Sequence, residues 1–147
     1  MNAIVSACLL GINCRYDGSN SRNQKVFDFI EEKGINPIPV CPEQLAGLPT
    51  PRVECETYGD GFEVLEGHSH VYSREGEVMT DFFIKGAEEV LKIAKITNAG
   101  IALMKSKSPS CGAGTIYDGT FCGRTREGFG VTAALLRKNG IDVIEFD

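Results

Sequence analysis

Histidine is nearly absent from this chain: His68 and His70 are the only two in 147 residues. They fall in one predicted hairpin, away from every cysteine loop. As a zinc pair they are weak, and they read as surface residues. No apolar run reaches the length that crosses a bilayer. Nor is there an excess of positive charge. The formal net charge of −5 argues against tight, non-specific binding of polymeric nucleic acid, which depends on neutralising phosphates. Small anionic ligands stay open, because they need only a local basic pocket. Internal repeats, low-complexity stretches and linkers are also missing, so residues 1–147 read as one soluble domain, long enough to bury a core without staples. Ile4-Val5-Ser6-Ala7-Cys8 resembles a lipoprotein processing site, but no basic residue precedes it and its apolar lead is too short. The chain reads as cytoplasmic.

What the chain does contain is six cysteines. In a reducing compartment an even count points to metal or redox chemistry before disulfides. Cys55 and Cys122 have no distinctive context and read as small buried hydrophobes. The other positions take their meaning from the order of elements. Residues 2–8 read as a buried strand, 23–33 as a helix stopped by Gly34, and 35–40 as a second strand carrying Pro37 and Pro39. Phe62–Leu65 and His70–Tyr72 read as a hairpin with a four-residue connection. A helix follows from an N-cap at Thr80, with Phe82, Phe83, Ala87, Val90, Leu91 and Ala94 along one face. Gly100–Met104 is a third strand, and Thr115–Cys122 a hairpin turning at Asp118-Gly119. A helix over 131–138 and a strand over 141–146 close the chain.

Strands separated by helices imply an α/β, Rossmann-like three-layer fold: a mainly parallel sheet with inserted β-hairpins. In such a sheet the loops after successive strands emerge along one edge, where these folds bind ligands. Cys8 ends the first strand, Cys41 follows the second and Cys111 lies in the loop after the third, so the three converge. Three thiolates without histidine fall short of a closed zinc site. They suit an iron–sulfur cubane with one iron left open. Three other readings stand beside this one. Cys14 as a fourth ligand would close the cluster, the site could be a structural zinc module, and Cys111 could act as the nucleophile of a metal-free sulfurtransferase.

Around these thiols stand residues suited to proton transfer and ligand binding. Glu43 is held near Cys41 by the intervening Pro42, and Ser108 stands three residues before Cys111. Arg52, Lys105 and Lys107 offer charge to an anionic group, Ser110 a hydroxyl, and Gly112 and Gly114 accessible backbone N–H groups. Arg52, Lys105, Ser110 and Gly112 are the substrate-binding candidates.

Val5–Gly11 with Cys14–Gly18, then Cys41-Pro42-Glu43 with Leu48–Arg52, then Lys105–Gly112 together resemble the thiouracil desulfidase family. The resemblance spans essentially the whole chain, as a single desulfidase-like domain. It implies a 4Fe-4S cluster on Cys8, Cys41 and Cys111, with catalytic roles for Glu43 and Ser108. The implied activity is non-redox desulfuration of thiouracil or a related thionucleobase or thionucleotide, releasing hydrogen sulfide. The implied partner is thus a small thiopyrimidine. Val53-Glu54-Cys55-Glu56 departs from the family's proline-containing pattern at one wall of the pocket.

Overall fold

The computed structural model describes residues 1–147. In chain order its elements are β1 (Asn2–Ser6), α1 (Gln24–Lys33), β2 (Asn36–Val40), α2 (Pro42–Leu45), β3 (Cys55–Tyr58), α3 (Gly61–Leu65), β4 (His70–Ser73), α4 (Thr80–Ile96), β5 (Ile101–Lys105), β6 (Ala113–Tyr117), β7 (Thr125–Phe129), α5 (Val131–Lys138) and β8 (Asp142–Phe146). No helix is long and apolar enough to cross a membrane.

Four strands form the main sheet in the order β2-β1-β5-β8, every pair parallel. This is the expected Rossmann-like α/β arrangement. Period-two alternation divides the core between its two faces. Ile4, Ala102 and Met104 point to one face, where Val90 and Ala94 of α4 and Leu136 of α5 cover them. Val5 and Leu103 point to the other, against Val26 of α1. Phe29 of α1 meets Phe146 of β8 edge-on there, with ring centroids 5.7 Å apart.

Local sequence explains the elements on which the site rests. Asn23 caps α1 by accepting from the Lys25 amide at 2.9 Å, and Gly34 ends it in the left-handed conformation at φ 62°. β2 tolerates two prolines because it is an edge strand. The Asn36 amide donates to Met1 across the β1 pairing, so by alternation the positions of Pro37 and Pro39 face the unpaired side.

Several sequence expectations are corrected. Gly61–Leu65 is a helical turn, because Asp60 and Glu63 form a reciprocal capping box. β4 therefore pairs with β3, joining Cys55–Tyr58 to His70–Ser73. The later hairpin is wider than two turn residues, pairing Ala113–Tyr117 with Thr125–Phe129. Thr80 is not the N-cap of α4 but its first residue; Met79 caps the helix, and the Thr80 hydroxyl instead accepts from the Val71 amide at 3.1 Å. Phe82 is 42% exposed rather than on the buried face, which Phe83, Ala87, Val90 and Ala94 form.

α4 also supports the turn that carries Cys41. Gly86, inside the helix, lies so close to that turn that a Cβ there would stand 2.3 Å from the Pro42 carbonyl oxygen. Helix propensity alone favours Gly86→Ala by about 1 kcal/mol. The overlap with backbone reverses the sign, and we expect a net loss of roughly 1–3 kcal/mol, read as a lower urea midpoint at an unchanged m-value. A stabilised G86A variant would contradict this packing.

Candidate active site

All the parallel strands run toward one edge, and the loops leaving that edge enclose a cavity of about 300 Å³. Cys8, Cys14, Cys41, Cys55 and Cys111 line it, together with Glu43, Arg52 and Ser108. Cys8 sits in a 3-10 turn, Ala7–Leu10, that continues directly from β1 and ends at Gly11 with φ 90°. Cys41 precedes α2, whose first residue is Pro42, so Glu43 falls in the first turn and its side chain is 16% exposed.

Cys111 is placed by the loop between β5 and β6. The Ser108 hydroxyl oxygen accepts from the amides of Ser110 and Cys111 at 3.1 and 3.0 Å. Carbonyls of the same loop receive the first amides of α5: Val131 donates to Pro109 at 2.8 Å and Ala133 to Ser110 at 3.1 Å. A Cβ on Gly130 would lie 2.4 Å from the Ser110 carbonyl carbon, so only glycine lets α5 approach this closely.

The electrostatics of the cavity are those of thiols taken out of water. The Cys14 pKa is lowered by hydrogen bonding from Cys41 and raised by hydrogen bonding to Cys8 and by burial, for a net rise to about 11. The Cys41 thiol is pushed far up by its bond to Cys14, then by burial and the nearby Glu43. Burial also drives Cys111 upward, against the stabilising hydroxyls of Ser6 and Ser108. Glu43 is raised by burial, with the Arg52 guanidinium 3.6 Å away opposing that shift. No three of the chain's histidine, cysteine and carboxylate side chains gather closely enough to cage a single metal ion. The thiols line a chamber instead of closing on a point. Soft thiolate donors brought from separate loops to one cavity fit a thiolate-ligated iron–sulfur cluster.

Of the candidate site residues, Cys8, Cys41, Cys111, Glu43, Ser108, Arg52 and Lys105 come together at the cavity. Ser110 and Gly112, expected to bind substrate, do not line it. Ser110 is 1% exposed because its carbonyl caps α5, and a Cβ on Gly112 would strike Ile116 at 2.6 Å. Lys105 turns its ammonium to the Ser106 carbonyl at 3.2 Å and to Asp147 at 3.5 Å. Lys107 reaches the same carboxylate at 3.8 Å. Cys14 also lines the cavity and is 3% exposed. Cys55 is a cavity residue and Cys122 is exposed, so neither is a buried core thiol. Glu56, which sequence reasoning passed over, also lines the cavity, and one of its oxygens accepts from the Gly119 and Phe121 amides at 3.0 and 3.1 Å. The only sequence signal for this wall was Glu54-Cys55-Glu56 itself, a thiol between two carboxylates beyond Pro51-Arg52. His68 and His70 stay outside the site, on the surface.

Comparison with known proteins gives three findings. Residues 3–147 match the family described as 2-thiouracil desulfurase. The chain is 44% identical over 142 residues to a Bacillus subtilis (strain 168) protein, the uncharacterized protein YbbK, covering 96% of this chain and 93% of that one. A solved structure described as the 4Fe-4S-dependent thiouracil desulfidase TudS is 41% identical, with a TM-score of 0.85, over 98% of this chain and 89% of that one.

The buried and exposed thiols differ in a way that alkylation can read. In cluster-free protein Cys122 should be carbamidomethylated first, because it is exposed. Cys55, whose burial raises its pKa to about 12, should be labelled slowly at neutral pH and faster as the pH climbs toward that value. Peptide mass spectrometry over a pH series checks both, and rapid labelling of Cys55 at pH 7 would contradict the burial described.

Proposed function

The chain belongs to the 2-thiouracil desulfurase family, and from that premise we propose that its cavity carries out iron–sulfur-dependent, non-redox desulfuration of thiouracil or a related thionucleobase or thionucleotide. In balanced form, thiouracil and water give uracil and hydrogen sulfide. Cys8, Cys41 and Cys111 hold a 4Fe-4S cluster in this reading. The observation that carries it is that these three thiols, from three separate loops, line one chamber together with Glu43 and Ser108. When bound, such a cluster supplies a thiophilic Lewis acid to the exocyclic sulfur of the substrate.

The remaining steps fall to the chain's own groups. Glu43, mostly shielded from water and raised by burial, takes a proton from the water that attacks the ring carbon. Both backbone contacts of Ser108 use its oxygen as acceptor. Its hydroxyl proton is therefore free to be donated, toward the Cys111 thiolate or toward the reacting ring. A small thiopyrimidine is the substrate class; the chemistry requires neither a membrane nor polymeric nucleic acid.

Anaerobic reconstitution, followed by iron and sulfide analysis and assay on 2- and 4-thiouracil and 4-thiouridine monophosphate, tests this reading. Cys111→Ser should lose most of the bound iron and all turnover. Glu43→Gln should keep its iron and lose roughly 100-fold or more in kcat. Normal turnover by C111S, or wild-type activity in E43Q, would sink the corresponding assignment.

A further inference from the structure

Arg52 sits at the cavity wall, and both terminal nitrogens of its guanidinium already donate to the protein. Its side chain is 7% exposed. Nη1 donates to the Pro49 carbonyl at 3.2 Å and the Thr50 hydroxyl at 2.9 Å. Nη2 donates to the Cys14 carbonyl at 2.8 Å, lies 3.9 Å from the Cys41 sulfur and 3.6 Å from a Glu43 carboxylate oxygen. Its own backbone amide donates to the Tyr16 carbonyl at 2.7 Å. One residue thus fastens the loop after Cys8, the turn of Cys41 and Glu43, and the segment over Pro49 and Thr50.

We propose that Arg52 is a positioning residue: it holds the Cys14 loop and Glu43 in register with Cys41, and supplies the positive charge that offsets the buried thiolates and carboxylate. It does not bind substrate. The inference rests on the functional reading above and says what keeps that site assembled. Thiolates and a carboxylate gathered away from water need a cation at close range, since an uncompensated buried charge is strongly unfavourable. Lys105 and Lys107 do not fill that role, because both ammonium groups turn to Asp147. A planar guanidinium meets several acceptors at fixed angles, whereas a lysine brings the same charge at a single point. The two functions of Arg52 are therefore separable by substitution.

The experiment compares anaerobically reconstituted wild type, Arg52→Gln and Arg52→Lys by three readouts: iron lost to a chelator with time, the reduction potential of the cluster, and kcat against KM for thiouracil. R52Q should lose iron roughly 10- to 100-fold faster than wild type, in line with other groups that orient metal ligands. Its potential should move to a more negative value, because the charge favouring the reduced cluster is gone. Its kcat should fall with KM little changed. R52K should recover the potential but not the iron retention. A raised KM at unchanged kcat in R52Q would make Arg52 a substrate ligand and overturn the proposal, as would wild-type iron retention together with a wild-type potential. If R52Q fails to fold, R52K decides alone: faster iron loss at an unchanged potential supports the proposal, and wild-type behaviour in both measurements overturns it. Wild-type protein that takes up no cluster is a different result, which removes the functional reading itself.

Discussion

The site depends on keeping several thiols and a carboxylate out of water beside a single guanidinium. The pKa values of Cys14, Cys41, Cys111 and Glu43 are all raised, by burial for Cys111 and Glu43 and by hydrogen bonding among thiols together with burial for Cys41 and Cys14, so each resists ionisation in the metal-free chain. Taking up a thiolate-ligated cluster reverses that preference for its ligands, releasing their protons as iron binds. The chain is therefore built to hold anions that it does not favour by itself. Arg52, 3.6 Å from Glu43, is the permanent countercharge.

A site of this kind needs walls that do not relax, and the fold supplies them through close backbone contacts. Gly86 of α4 admits the Pro42 carbonyl between Cys41 and Glu43, and Gly130 admits the Ser110 peptide beside Cys111. In both places a helix presses directly on a cysteine-bearing turn. The amides at the start of α5 then bind the carbonyls of Pro109 and Ser110. These contacts tie the geometry of the cavity to the packed face of α4 and α5, whose Val90, Ala94 and Leu136 form the core under β1 and β5.

Much of this was legible in the chain before folding. The alternation of strands and helices, with Gly34 as punctuation, predicted a parallel sheet, and the sheet placed Cys8, Cys41 and Cys111 at one edge. The failures have two causes, one local and one tertiary. Asp60 and Glu63 joined in a capping box turned an apolar run, Phe62–Leu65, into a helix where alternation suggested a strand. Cys55 and Cys122 looked alike because neither has telling neighbours, yet one lines the cavity and the other is exposed. Ser110 and Gly112 belong to a loop of functional composition, but they face the packing side of it.

Sequence by itself determined the class of fold, the soft donor set and the identity of the three loops that meet, because hydrophobic periodicity and the succession of strands and helices along the chain are local or nearly local properties. Tertiary structure alone decided which side chains face the chamber. It set the Arg52 guanidinium among Pro49, Thr50, Cys14 and Glu43. It also buried Cys14 in one cluster with Cys8, against which Cys41 packs. The physical reason is that direction and burial come from contacts between residues far apart in sequence. A guanidinium carries the same charge in any loop; which acceptors take its hydrogens is settled only when those loops pack.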